Sequence, residues 1–167
     1  MNWVTVVWTG ATSASLMLAA IHGFVWLRKR SAWASLMFCL MAASTAGMAG
    51  CELAMMRVDD ASQLDSVLQW YNLCRWAVSI FLVGFMHFYL RAGRLWLELT
   101  VIGLRTVALL LNLFVSPNAY FSSIENLNRV KFLGQFVTVV EGVPNPLMLV
   151  GQVSLLVLAA YLVDTTW

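Results

Sequence analysis

Apolar residues run through the 167-residue chain in about five long blocks, near 3–27, 32–56, 68–90, 94–115 and 146–166. Each is separated from the next by charged or turn-forming residues. A bilayer core needs about 20 apolar residues in a helix, so each block predicts one transmembrane helix. The expected fold class is all-α: a polytopic bundle of about five spans, forming one membrane domain over residues 1–167.

The stretch 116–145 departs from this pattern. It holds Pro117, Asn118, Asn126, Asn128, Gly134, Gly142, Pro144 and Asn145, which form turns and break helices, so it reads as a structured outer loop rather than a span. Within it Ile124, Leu127, Val130 and Leu133 recur at helical spacing, which predicts a short amphipathic helix on the membrane surface. Phe136-Val-Thr-Val-Val140 is β-branched and reads as extended before Glu141-Gly142 and Pro144-Asn145-Pro146 turn the chain into the fifth span.

Composition agrees with the spans. Hydrophobic residues make up 61% and charged residues 11%, with a mean hydropathy of +0.80, too little polar surface to cover a soluble globule. No basic residues precede the first block, and it runs on to Arg28-Lys29-Arg30 beyond the length of a signal-peptide core. It is expected to stay in the mature protein.

Cytoplasmic loops retain an excess of Lys and Arg. Arg28, Lys29, Arg30, Arg91 and Arg94 fall on one side, and Arg57, Arg129 and Lys131 on the other. Five against three places the first set inside. The expected layout is an N-terminus outside and a C-terminus in the cytoplasm, in a bacterial inner membrane. Tyr161-Leu-Val-Asp-Thr-Thr-Trp167 carries no basic flank where the fifth helix would leave the membrane, which predicts a longer parent chain.

Several short motifs carry a resemblance: Gly103-Leu-Arg105, Asn112-Leu-Phe114, Pro117-Asn118, Phe132-Leu-Gly134, Glu141-Gly142-Val-Pro-Asn145-Pro146 and Gly151-Gln-Val-Ser154. With His22-Gly-Phe-Val-Trp26-Leu-Arg28 and Glu52-Leu-Ala-Met-Met56, they resemble the N-terminal membrane region of a group of bacterial sensor histidine kinases. The resemblance implies signal perception or anchoring upstream of cytoplasmic PAS and kinase domains. The phosphoacceptor His and nucleotide-binding boxes of such kinases are not recognisable here, so the chain alone is not expected to be a kinase.

Ionisable residues at membrane depth are the candidate functional groups, because charge there costs a few kcal/mol by insertion scales. Arg105 lies in the middle of the fourth span and needs a partner from another helix, a carbonyl or an anionic ligand. Glu52 and Arg75 lie near the outer ends of the second and third spans, where an antiparallel hairpin predicts a buried ion pair; ligand or proton sensing is the alternative. Asn118 and Asn145 are the candidate ligand contacts of the outer loop.

His22 and His87 each precede a basic boundary by a few residues and share a depth in the inner leaflet. Two imidazoles there can ligate a haem iron or another metal, or each can make an interhelical hydrogen bond. No cofactor is otherwise expected. Cys39, Cys51 and Cys74 lack metal-binding spacing, though Cys51 and Cys74 share a depth at which a disulfide is conceivable.

Ala42-Ala43-Ser44-Thr45-Ala46-Gly47 and Gly50 allow close helix approach, which predicts a central second span. Most of the eight Trp fall near predicted boundaries, as interfacial indoles do. The expected partners are membrane lipids and a second copy of the chain or a larger membrane assembly. A net charge of +2 offers no basis for nucleic-acid binding. Zinc clusters, phosphate loops and nucleophile elbows are lacking as sequence motifs. The favoured reading is a sensory or anchoring module that relays a signal through its fifth span to a cytoplasmic output domain. Its alternatives are an accessory or cofactor-holding subunit of a larger membrane complex, and a bis-His haem-binding redox or gas sensor.

Overall fold

The computed structural model describes residues 3–58, 60–91, 93–114, 121–132 and 135–166. It is an all-α bundle of α1 (Trp3–Arg28), α2 (Trp33–Met55), α3 (Ala61–Leu90), α4 (Leu95–Phe114) and α5 (Met148–Thr166), with a two-stranded hairpin, β1 (Phe121–Phe132) and β2 (Gln135–Pro144), between α4 and α5. All five helices are long and apolar enough to cross a membrane. This is the pattern of a multi-pass membrane protein.

Packing follows the rule that lipid tails reward nothing but close fit. Many large side chains point outward: Met17 is 67% exposed, Leu99 65% and Leu156 72%. The interior takes small and polar residues beside a few large ones such as Leu158 and Tyr161. Ala42, Ala46 and Ala49 form the buried face of α2, which packs between α1 and α3. α3 in turn joins this layer to the α4–α5 pair, so it is the helix common to both halves.

α3 begins at Ala61, seven residues before the expected start of the third span at 68. Hydropathy misses these first two turns because what stabilises them is tertiary. Leu64 and Leu68 form a small buried cluster with Val58 of the α2–α3 turn, and Val140 of β2 packs onto it. Two hydrogen bonds fix the strand there: the Thr138 N–H donates to the Met56 carbonyl at 3.3 Å, and Thr138 Oγ1 donates to the Val58 carbonyl at 2.8 Å.

The segment between α4 and α5 corrects one expectation. The segment carrying Ile124, Leu127 and Val130 is not a surface helix but strand β1, antiparallel to β2 with Leu127 opposite Val140 and Val130 opposite Val137. Two register irregularities, between Phe121 and Ser123 and between Ile124 and Asn126, break the two-residue alternation that marks a strand in sequence. The extended reading of 136–140 stands, since those residues lie within β2.

At the opposite end of the bundle α3 closes on Arg91, in the left-handed region at φ 52°, and Gly93 follows at φ +102°. That turn brings α4 back along α3. Arg28 ends α1 at this side, and the short connections carry Lys29, Arg30, Arg91 and Arg94.

Candidate functional site

α4 buries Val101, Arg105, Leu109 and Asn112. Their spacing of four, four and three residues puts them on one stripe of the helix. Arg105 is 5% exposed and Asn112 3%, so this stripe carries a cation and an amide where lipid cannot reach. At about 1.5 Å per residue, Arg105 stands some 15 Å from the start of α4, near the bundle's middle, with Asn112 about two turns nearer the hairpin.

Two other helices complete the surroundings. One turn of α3 contributes Asn72, Arg75 and Trp76, and the first turns at the hairpin end of α5 contribute Met148, Gly151 and Gln152. Together with Arg105 and Asn112 they line a half-open cavity of about 80 Å³. Two guanidiniums line it, and no carboxylate does among the described residues.

The polar atoms around this cavity fall into two groups. Some are satisfied locally: Asn72 Nδ2 donates to the Leu68 carbonyl at 2.8 Å, and Trp76 Nε1 donates across to Thr106 Oγ1 on α4 at 3.1 Å. Arg75 and Arg105 also hold other interactions within the chain. Asn112 differs, because neither its Nδ2 nor its Oδ1 has a hydrogen-bond partner although both are buried. A buried amide left unbonded costs about 1–3 kcal/mol, so a protein seldom keeps one without a use.

The other candidate residues are placed as follows. Arg75 faces the α4–α5 side of α3, where it lines the cavity, and Glu52 lies on α2. His22 and His87 have different partners: the His22 ring lies 4.2 Å from that of Phe38 on α2, and His87 Nδ1 pairs with Glu98 Oε2 at 3.0 Å. Among the described residues no group of three His, Cys, Asp or Glu is placed to hold a metal. Asn145 is a helix cap, its Oδ1 accepting from the Leu147 N–H at 3.0 Å just before α5. Asn118 lies outside the described residues. Cys51 and Cys74 are free thiols that face each other between α2 and α3.

Asn72 and Trp76 belong to the cavity and stand in no sequence motif, while Asn112 and Gln152 lie in two of the motifs that carry the resemblance without being candidate site residues there. Asn112 had a legible signal: it lies seven residues after Arg105, two turns along the same face.

The far end of α5 forms a second joint. Asp164 accepts a hydrogen bond from the Arg94 N–H through Oδ2 at 3.2 Å, and its Oδ1 lies 3.4 Å from Arg94 Nε. Tyr161, fully buried, packs with Val83, Val101 and Leu158. α5 therefore touches the cavity at one end and the α3–α4 turn at the other. No family model, curated protein or solved structure matches the chain.

Proposed function

We propose that this chain is the membrane sensory module of a bacterial signalling protein, set in the inner membrane with its N-terminus outside and its C-terminus in the cytoplasm. One observation carries the reading. α5 runs without interruption from the polar cavity, at Met148 to Gln152, to the joint that Asp164 makes with the first residue before α4. A helix held at both ends in this way transmits a displacement at one end to the other.

The polar interior suits that role better than simple anchoring does. An anchor needs only apolar helices, whereas buried Arg105 and Asn112 impose a cost at membrane depth that function would justify. The resemblance of the sequence motifs to sensor histidine kinase membrane regions points the same way, and so does the count of basic residues, which sets the α5 terminus on the cytoplasmic side.

The relay is tested by hydrogen exchange on the protein in nanodiscs. Arg105→Gln is expected to change amide protection in the last turns of α5, around Tyr161 to Thr165, while Leu156→Ala on the lipid face leaves it unchanged. Identical α5 protection in Arg105→Gln and the native chain would remove the basis for a relay. A fluorescent protein fused after Trp167 should fold and fluoresce, since that requires a cytoplasmic terminus.

A further inference from the structure

We infer that the cavity between α3, α4 and α5 is a binding site for a small oxyanion, a carboxylate or phosphate group that also carries or adjoins a hydrogen-bond donor. Two observations converge on it. Arg75 and Arg105, from different helices, line one cavity with no carboxylate among its described lining residues.

Asn112 is the second, independent observation. Its side chain lines the same cavity, is 3% exposed, and leaves both its amide N–H donors and its carbonyl oxygen without partners. The Nδ2 group suits an oxyanion oxygen, and the Oδ1 suits a donor beside it. Gln152 adds a second amide from α5.

Size suits that ligand class: a cavity of about 80 Å³ has room for a carboxylate or phosphate group. Guanidinium forks match the paired oxygens of such groups.

The group can arrive on a free solute or on a lipid headgroup, and the test separates these. The full chain is reconstituted in nanodiscs of zwitterionic lipid alone, and its thermal unfolding is followed as inorganic phosphate or acetate is added against chloride at equal ionic strength. A parallel sample uses nanodiscs containing phosphatidylglycerol with no added oxyanion. A free-solute site is expected to raise the Tm by about 5 °C at saturating phosphate or acetate; a headgroup site gives that rise in the phosphatidylglycerol sample alone. Arg105→Gln should raise the half-saturating concentration of a free solute about tenfold or more, and in the headgroup case it should remove the rise seen with phosphatidylglycerol. Asn112→Leu keeps both charges and fills the site, so it should weaken binding while the unliganded protein becomes more stable. No oxyanion-dependent shift in any sample would overturn the assignment, as would a shift equally strong in both variants. Because binding is read on the bundle itself, its outcome is independent of whether α5 relays a signal.

Discussion

Arg94 and Asp164 are seventy residues apart in the chain, yet one carboxylate joins them twice. Asp164 Oδ2 accepts from the Arg94 N–H at 3.2 Å, and its Oδ1 meets the guanidinium Nε at 3.4 Å. Arg94 sits just before α4, whose first N–H groups have no partners within their own helix. Asp164 thus does for α4 what an N-cap side chain usually does from within the helix, and its negative charge suits the positive end of the helix dipole.

The first prediction concerns this joint. Arg94 is 68% exposed, so its side-chain pair with Asp164 contributes little, and most of the effect comes from the capped N–H. Asp164→Ala should therefore cost about 1 kcal/mol, while Arg94→Ala should cost clearly less. Thermal unfolding of both variants in nanodiscs checks the order; an equal or larger loss for Arg94→Ala would show that the ion pair, not the cap, matters.

Gly93 supports the second prediction. Its φ of +102° disfavours any side chain, and a Cβ added there would lie 2.5 Å from Thr165 Cγ2. Gly93→Ala should destabilise the bundle by about 2–3 kcal/mol, from backbone strain and overpacking together. Thr165→Ser removes the clashing methyl and keeps the hydroxyl that bonds the Tyr161 carbonyl at 3.1 Å. The double variant should recover the steric part and not the backbone part. Additive losses in the double-mutant cycle would mean that the two residues do not touch.

These joints show where the sequence could be read and where it could not. The five helices follow from long apolar runs, because a lipid-facing helix must be apolar over its whole length. The hairpin was misread because Ile124, Leu127 and Val130 are spaced as on a helix, and the irregularities in β1 hide its strand alternation. At the site, Arg105 is legible as a charge in mid-span; depth says nothing about rotation, so sequence does not reveal that Arg75 lines the cavity on the α4–α5 side of α3. Asn112 is not a candidate from sequence beyond its place in a motif, because one amide in an apolar run signals little until its face is known.

The third prediction tests how the hairpin is tied down. Thr138 makes two contacts with the α2–α3 turn, through its N–H to Met56 and its hydroxyl to Val58. Thr138→Val preserves the β-branched shape and the main-chain bond and removes only the hydroxyl bond, at a cost of about 1 kcal/mol. The loss should be local. Amides of β2 and of the first turns of α3 should exchange faster, while those at the opposite end of α3 stay as protected as before. Faster exchange throughout the bundle would instead make the hairpin part of a single cooperative unit with the helices.

The last prediction concerns the close approach of α2 and α3. A Cβ on Gly47 would lie 2.9 Å from Cys74 Sγ, so the absence of a side chain at 47 makes room for the thiol. Cys51, one turn further along α2, faces the same thiol. Gly47→Ala should therefore destabilise by about 1–2 kcal/mol even though alanine is the better helix former. With Cys74→Ala in the same chain the obstacle is gone, and the intrinsic gain of alanine in the helix should show as a smaller loss or a net gain. A cycle measured by thermal unfolding in nanodiscs should give a coupling of about 1 kcal/mol between the positions. Zero coupling would mean that α2 and α3 do not meet at Gly47, and would remove the close-packed interface that holds α3 in place as the helix common to both halves of the bundle.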